Sequence, residues 1–254
     1  MAFSPPFQRP FSATFDRRAA AAAAGNGLLN ALIAYWPLNE AGGANNALDL
    51  HTNGLTLTQA ESPGADTGKV YSTARTFDGS ADYFTRNSEA LLQTGDVDFT
   101  FAAWIYPTGS GVRLILSKDS GGNNRDYLIY RVNTSLFFSV WNSAGSIKEA
   151  TVAGLSTDAW QLVTAWHDST ADTVNISINH GTAGSLATGG ALRAVTVATF
   201  YVGAYGSSQA ERWSGRIGPV AMWKSAAGGG VLSSSQRSAL YAGGAGLAYA
   251  QFTI

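Results

Sequence analysis

The stretch WQLVTAWHDSTADTVNISINHG, residues 160–181, decides the fold class of this chain. Its first seven residues contain neither Gly nor Pro and are mostly aromatic or aliphatic, which predicts a β-strand. The polar residues 168–172 predict a turn, because short polar side chains hydrogen-bond their own backbone. The remainder alternates, with Val174, Ile176 and Ile178 as its apolar positions, which is typical of a strand with one buried and one solvated face. The stretch therefore predicts two paired antiparallel strands.

A second stretch, RTFDGSADYF at 75–84, carries the most specific local pattern in the chain. Asp78-Gly79 predicts a tight hairpin turn between two strands, because this dipeptide favours the backbone angles of such turns. Tyr83 is then expected to return to the core. Further along, DFTFAAWIYP at 98–107 alternates strictly, which predicts a long strand. The positions expected on one face of this strand are Phe99, Phe101, Ala103 and Ile105.

The composition is typical of a turn-rich all-β protein. Of 254 residues, 29 are Gly and only 13% are charged, about half of the ordinary ~25%. The net charge of −1 argues against long-range attraction to nucleic acid. Cysteine is absent, which excludes disulfides, thiolate metal sites and cysteine nucleophiles. No apolar run reaches the ~18 residues that a membrane span needs.

These stretches, together with AYWPLNE at 34–40 and WSGRIGPVAMW at 213–223, resemble laminin-G-like domains. Such domains belong to the concanavalin-A-like lectin/glucanase jelly-roll family, of the kind found in bacteriophage virion proteins. The capping-box pattern SSSQ at 233–236 predicts a short helix after the last strand, which is a further family trait. The resemblance implies an all-β fold, a two-sheet antiparallel β-sandwich (jelly roll) with a short C-terminal helix, and the residues that precede it predict an extended N-terminal arm.

The first residues do not follow this pattern, and the sequence divides into an extended N-terminal arm with an Ala-rich segment, 1–30, and a laminin-G-like jelly-roll domain, 31–254. Three prolines forbid a regular helix through the first ten residues. Burying the four arm Phe side chains yields roughly 6–12 kcal/mol, whereas ordering about 24 residues costs roughly 1–2 kcal/mol each. We therefore expect a partner to order the arm. The predicted partner-binding residues are Phe3, Phe7, Arg9, Phe11, Phe15, Arg17 and Arg18.

No catalytic residues are predicted, and the chain is expected not to be an enzyme. Hydrolases of this fold place two carboxylates two or four residues apart on one strand, and the sequence contains no such array. The pairs Asp96/Asp98 and Asp78/Asp82 lie at a strand start and around a turn, where a structural role explains them equally well. A Gly-x-Ser-x-Gly nucleophile elbow is also absent, and the three scattered histidines do not favour zinc.

The loop DSGGNNRD, residues 119–126, has two interpretations. Its carboxylate and amide oxygens are suitable ligands for calcium, and related domains often bind calcium through such loops. The alternative is a solvated hairpin loop, which the positive charge of Arg125 favours. Calcium is the one cofactor considered, and its candidate ligands are Asp119, Asn123, Asn124 and Asp126.

Jelly rolls of this family frequently bind sugars, so aromatic side chains are candidate stacking faces. The alternative for each is core packing, because an aromatic residue on a strand of a sandwich is commonly buried, and fold likeness alone does not establish function. The candidate glycan-binding residues are Trp141, Trp166, Tyr205 and Trp213.

Two functional hypotheses remain open. The first is a non-enzymatic virion structural protein, either a capsid decoration or a tail- or fibre-associated protein. Its arm would dock on other virion subunits or copies of itself, and its jelly roll would bind host-surface glycans weakly, with many copies adding avidity. The alternative is a secreted, extracellular bacterial carbohydrate-binding or adhesion module, in which Arg17-Arg18 and the following alanines would resemble a signal peptide. Neither hypothesis involves nucleic acid or a membrane span.

Overall fold

The protein folds as a sandwich of two antiparallel β-sheets with a short C-terminal helix, which confirms the predicted fold class. The structure is a computed structural model that describes residues 1, 25–195, 197–206 and 211–254. The seven arm residues predicted to bind a partner lie outside these described residues. In the part of the chain that is described, no helix has the length and apolar character needed to cross a membrane.

Sheet I contains eight of the described strands. They are β1 (Leu32–Trp36), β3 (Gly64–Thr67), β4 (Thr73–Asp78), β6 (Asp98–Pro107), β11 (Gln161–Asp168), β12 (Thr173–Ile178), β13 (Gly184–Ala187) and β15 (Ser214–Ser225). Their order is β13-β12-β11-β6-β15-β4-β3, and β1 pairs with the second half of β15. β15 shifts register between Ile217 and Val220. Pro219 is tolerated at this irregularity because the regular hydrogen-bond ladder is interrupted there and does not need the N–H that proline lacks.

Sheet II contains seven of the described strands. They are β2 (Thr58–Ala60), β5 (Tyr83–Arg86), β7 (Val112–Asp119), β8 (Arg125–Val132), β9 (Ser135–Trp141), β10 (Ile147–Ala153) and β14 (Phe200–Val202). Their order is β10-β9-β8-β7-β14-β5-β2. β8 and β9 form a hairpin across Asn133-Thr134, and Asn133 adopts the left-handed conformation that asparagine tolerates in turns.

The main core lies between the two sheets and follows the alternation of the strands. Phe99, Phe101, Ala103 and Ile105 of β6 all point into it, as the sequence predicts. Trp213 is also fully buried in this core. Because the period of a strand is two, the intervening β6 residues point away from the core and need a second layer to cover them.

That second layer covers the outward face of sheet I, which we call the covered face. It is formed by α1 (Ser234–Tyr241), by short 3₁₀ turns at 242–244 and 249–251, and by chain from both ends of the described domain. The predicted capping box is confirmed, since Ser233 and Gln236 each accept the other's backbone N–H through their side chains. The large buried residues of this layer include Leu28, Tyr35, Trp104, Trp223, Leu240 and Phe252.

The hairpin predicted at Asp78-Gly79 is wrong, because this turn carries the chain from sheet I to sheet II. β4 pairs with β3 and β15, whereas β5 pairs with β2 and β14. The turn is as tight as expected, and the Asp78 carboxylate accepts two of its backbone N–H groups at 2.8 Å. Tyr83 is half-buried outside the core, and Phe84 takes the core position instead. The dipeptide signals a turn but does not say which strands pair.

The prediction that β12 is solvated on one face is also wrong. Val174 and Ile176 lie in the core as expected, but Asn175 and Ser177 on the opposite face are only 7% and 2% exposed. The Ser177 hydroxyl lies 3.3 Å from the Thr164 hydroxyl of β11, so the buried polar groups satisfy one another. Polar residues on a strand therefore do not prove that its outward face meets solvent.

Candidate functional site

The outward face of sheet II, which we call the open face, carries a second set of large side chains. Along β8, Tyr127 and Ile129 belong to the core, whereas Leu128 and Tyr130 belong to a separate outward cluster. The helix α1 and the chain ends pack on sheet I instead, and their apolar contacts form another cluster. The apolar and aromatic members of the open face include Leu114, Leu128, Tyr130, Phe137, Trp141, Tyr201 and Tyr205.

A groove of about 260 Å³ opens on this face between β7, β8 and the chain that flanks β15. Leu114 and Leu128, which are 2% and 8% exposed, form its apolar floor. The half-buried rings of Tyr130 and Tyr205 stand beside the floor, and Glu211 adds an exposed carboxylate. The groove thus combines apolar surface, aromatic rings and a hydrogen-bond acceptor, which is the usual makeup of a small-molecule site.

Tyr130 is held in place on both sides. Its ring stacks on Phe137 with the ring centroids 5.1 Å apart and the planes at 15°. Its hydroxyl donates to Oε2 of Glu149 at 2.5 Å, and Ser139 donates to the same oxygen at 2.6 Å. Burial, followed by the hydrogen bond to Glu149, raises the pKa of Tyr130 to about 12. The ring is therefore a rigid, uncharged wall at neutral pH.

Tyr205 is the second wall of the groove, and it is also backed by a carboxylate. Its hydroxyl donates to Oδ2 of Asp119 at 3.5 Å. Asp119 is 1% exposed, accepts the backbone N–H of Gly121 at 2.6 Å, and has Nε of Arg125 at 3.7 Å. Burial and the negative charge of Asp119 raise the pKa of Tyr205. Of the four predicted glycan-binding residues, Tyr205 is the one that lines the groove.

Trp141 lies on the open face but outside the groove lining. It is 7% exposed and belongs to the same cluster as Leu114 and Leu128. The guanidinium of Arg125 lies 5.5 Å from the centre of its ring, at cation–π distance. With one ring face occupied by Arg125, Trp141 supports the floor rather than offering a free stacking surface.

The structure places the other two predicted glycan-binding residues away from this face. Trp213 is fully buried in the main core and donates its indole N–H to the carbonyl of Arg216, so it has no face for a sugar. Trp166 lies on β11 in sheet I and is 8% exposed, with the guanidinium of Arg237 only 4.3 Å from its ring centre. Both were chosen as strand aromatics, and both are used for packing.

Two of the predicted calcium ligands, Asp119 and Asp126, are buried and hydrogen-bonded to different partners. Asp126 is 3% exposed, lies 3.4 Å from Nζ of Lys118 and accepts the Thr94 hydroxyl at 2.5 Å. Burial raises its pKa, and the Lys118 charge works in the opposite direction. Asp119 is engaged with Tyr205, as described above. The two carboxylates therefore serve separate hydrogen-bond networks.

The backbone carbonyls of the two asparagines of the predicted calcium set also have hydrogen-bond partners. The backbone carbonyl of Asn123 accepts from Arg193 at 3.0 Å, and that of Asn124 accepts from the Ser120 N–H at 2.9 Å. Across the described residues, no group of three or more His, Asp or Glu is placed to hold a metal ion. The Asp119 and Asp126 carboxylates thus have different partners within the protein, and calcium binding by this loop stays a prediction.

The acidic pairs considered for hydrolysis have structural partners. Asp96 lies 3.2 Å from Nε2 of His167, and Asp98 accepts a hydroxyl and an N–H from the β11–β12 turn. Asp82 accepts the backbone N–H of Asp78 at 3.0 Å, inside the turn between the sheets. Each carboxylate thus stabilises a turn or a strand end.

The sequence reasoning missed most of the groove. Leu114, Leu128, Tyr130, Glu149 and Glu211 were not singled out, although they line or support it. A usable signal existed in the hairpin 127–141, where most residues between the core positions are aromatic or apolar, among them Leu128, Tyr130 and Phe137. An antiparallel strand that is apolar on both faces packs one face on the core, so its other face is expected to contact either a covering layer of protein or a ligand.

The chain belongs to the concanavalin A-like lectin/glucanases superfamily, whose family model matches residues 78–229. The match runs from the turn between the sheets through β15 and includes every strand that lines the groove. Among curated proteins, none matches the sequence.

Two solved structures that are similar to this chain are binding domains of toxins. The binding domain of Paraclostridial Mosquitocidal Protein 1 is 13% identical with a TM-score of 0.66, over 84% of this chain and 52% of that chain. The botulinum neurotoxin serotype D ligand binding domain, in complex with N-acetylneuraminic acid, is 15% identical with a TM-score of 0.62, over 87% and 52%. This chain therefore spans about half the length of these toxin domains.

A third similar structure is of comparable size. Domain 4 of AbnA, an extracellular arabinanase from Geobacillus stearothermophilus, was solved in complex with arabinotriose. It is 16% identical with a TM-score of 0.60, over 82% of this chain and 96% of that chain. At these identities the likeness establishes the shared fold.

Proposed function

We propose that this chain is a non-enzymatic glycan-binding domain that holds a sugar in the groove of the open face. The observation that carries the proposal is the pairing of Tyr130 and Tyr205 around the apolar floor of Leu114 and Leu128. Sugar rings have apolar C–H faces and polar edges, so they suit a site with aromatic walls and acceptors at its rim.

The size of the groove argues for weak binding by a single domain. A volume of about 260 Å³ lies just below the roughly 300–1,000 Å³ of typical ligand pockets, which is room for one or two sugar rings. A dissociation constant on the order of 1 mM corresponds to only about 4 kcal/mol. Such a site becomes effective when several copies act together.

The similar structures support this class of ligand without defining it. The serotype D toxin domain was solved with N-acetylneuraminic acid, and the arabinanase domain with arabinotriose. These two sugars differ in charge and size. The fold is therefore compatible with different sugars, and the side chains of the groove have to set the preference.

The proposal is tested by binding the full chain to a glycan array and titrating the strongest ligand by NMR. Tyr205→Ala should weaken binding about tenfold, because it removes one aromatic wall from a half-exposed position. The matched control is Leu186→Ala on β13, which removes an apolar side chain that is 44% exposed on the other sheet. Equal affinity of both variants and the native chain would mean that the groove is not the site.

We further propose that the N-terminal arm tethers this domain to a larger assembly, with a bacteriophage virion as the first candidate and a secreted adhesion module as the alternative. The supporting observation is the sequence of residues 1–24, which combines four Phe, three Pro and three Arg with an alanine run. Repetition on a lattice would supply the avidity that a weak sugar site needs.

The tethering proposal is tested by deleting residues 1–24. Asn26 and Leu28 are kept, because Asn26 hydrogen-bonds with Thr253 and Leu28 is buried in the covered layer. The shortened chain should remain folded but lose self-association in sedimentation or binding to purified particles. Unchanged association would leave the sandwich itself as the contact surface.

A further inference from the structure

We propose that the groove selects uncharged sugars and discriminates against anionic ones, such as those ending in sialic or uronic acids. This inference rests on the proposed function, because it specifies the ligand of the same groove. Its basis is the position of three carboxylates around the two tyrosine walls, of which Asp119 has Arg125 beside it, and the lack of Lys or Arg among the described residues that line the groove.

Each side of the groove has a carboxylate. Glu211 lines the groove directly and is exposed. Glu149 lies behind Tyr130 at 2.5 Å from its hydroxyl, and Asp119 lies 3.5 Å from the hydroxyl of Tyr205. The negative charges of Asp119 and Glu211 both raise the pKa of Tyr205, which places them within electrostatic reach of this wall.

Arg125 offsets part of the Asp119 charge, because its Nε lies 3.7 Å from that carboxylate and its positive charge lowers the pKa of Tyr205. Arg125 does not, however, line the groove. Among the described residues that line it, none is Lys or Arg. Arg125 lies over Trp141 and next to Asp119, while Arg212 lies over the ring of Tyr83. Arg131 follows Tyr130 on β8, but its guanidinium donates to the backbone carbonyls of Thr108 and Gly109, which directly follow β6.

This arrangement favours ligands that donate hydrogen bonds. A carboxylate accepts hydrogen bonds and has no donor when ionised, so it suits the hydroxyl groups of a neutral sugar. An anionic sugar would bring a like charge next to Glu211 in a groove whose described lining contains no cation, and like-charge juxtaposition at an interface is strongly unfavourable. The apolar floor at the same time requires a ligand with an uncharged ring face.

The test compares matched glycans on the full chain. Each neutral oligosaccharide is paired with the same chain capped by sialic acid or glucuronic acid, for example lactose with 3′-sialyllactose. We expect the acidic member to bind at least about tenfold more weakly at low salt. The ratio of the neutral to the acidic affinity should fall towards one as salt is raised, because mobile ions screen exposed charges.

Glu211→Gln is the informative variant, because it removes one charge at an exposed position and keeps the shape of the side chain. It should improve binding of the acidic member about threefold or more, and so reduce the ratio. Glu61→Gln makes the same change in net charge just beyond the edge strand β2 and should leave the ratio unchanged. A ratio that does not respond to Glu211→Gln contradicts the role of this carboxylate.

The outcomes separate the two proposals. Tighter binding of acidic sugars that Tyr205→Ala abolishes would overturn the selectivity and keep the groove as the site. Binding that no groove variant affects would overturn the groove itself, and the selectivity argument with it. Absence of binding to every glycan pair would count against the glycan-binding function.

Discussion

On the outward face of sheet I, Trp223 lies under the helix and the chain ends and donates its indole N–H to the carbonyl of Leu28. On the outward face of sheet II, Tyr130 and Tyr205 stand half-buried beside an open groove. Both faces are rich in aromatic residues at alternate strand positions. The difference is that protein covers the first face, whereas the described part of the chain leaves a groove open on the second.

The comparison shows that the same strand pattern supports two different uses. An outward apolar face either adds to the core by acquiring a second layer or remains available for a partner. In this protein the ends of the described domain, Leu28 and Phe252, meet on sheet I and close that face. Among the described residues, the proposed binding surface therefore lies on the sheet that these two segments do not cover.

The largest expected effect is on the covered face. Trp223→Ala should lower the free energy of unfolding by about 3–5 kcal/mol, because it leaves a cavity in place of a fully buried ring. Urea unfolding followed by circular dichroism measures this loss. Tyr205→Ala on the open face should lose no more than about 1 kcal/mol. Similar losses for the two variants would mean that the faces do not differ as described.

An open-face substitution should instead change binding as well as stability. Phe137→Ala removes the ring that stacks on Tyr130. We expect it to lower the free energy of unfolding by about 1–2 kcal/mol, and loss of the aromatic pair accounts for about 0.5–1.5 kcal/mol of this decrease. It should also weaken glycan binding several-fold, because Tyr130 is no longer held upright. Titrating a glycan into folded Phe137→Ala and Trp223→Ala compares the two, and only the former should bind more weakly.

A smaller effect is expected at the helix that covers sheet I. Ser233→Ala removes the N-cap of α1, whose hydroxyl accepts the Gln236 N–H, and should cost about 1 kcal/mol. Ser234→Ala, one residue further along, keeps the capping box and is the matched control. Thermal unfolding of both variants checks the difference, and glycan binding should be unchanged in each. Reduced binding by Ser233→Ala would show that the two faces are coupled.

The smallest effect concerns the ionisation of Tyr130 on the open face. Its pKa is raised to about 12 by burial and Glu149, above the value of about 10 in an unfolded chain. The folded state therefore favours the neutral phenol, and this contribution is present below about pH 10 and lost as the pH rises through about 12. A difference titration at 295 nm between the native chain and Tyr130→Phe should show the missing phenol near pH 12. A midpoint near 10 would mean that the Glu149 contact is not formed.

Local patterns predicted much of this fold because strands and caps depend on a few consecutive residues. The alternation of β6 placed its four core residues correctly, and the capping box at Ser233 was recognised from four letters. The Asp78-Gly79 turn was recognised too, but its strands belong to different sheets. Pairing depends on which distant strand completes each ladder, and a turn signal holds no information about that partner.

The candidate site was predicted less well, for a related reason. Trp141, Trp166, Tyr205 and Trp213 have similar local surroundings in the sequence, yet Trp213 is in the main core, Arg237 covers Trp166, and Tyr205 lines the groove. The exposure of an aromatic residue is set by segments far away along the chain. Pattern alone identifies a residue that needs a contact, but not whether protein or ligand provides it.

The sequence by itself determined the all-β class, the strands of the central hairpin and the resemblance to the lectin family, because alternation and turn chemistry are local properties. Only the tertiary structure decided which sheet stays open. That choice depends on Leu28 and Phe252, which are remote in sequence and adjacent in one buried cluster. Burying apolar area against a distant segment is a property of the whole fold, so the position of the groove could be found only after the chain had been assembled in space.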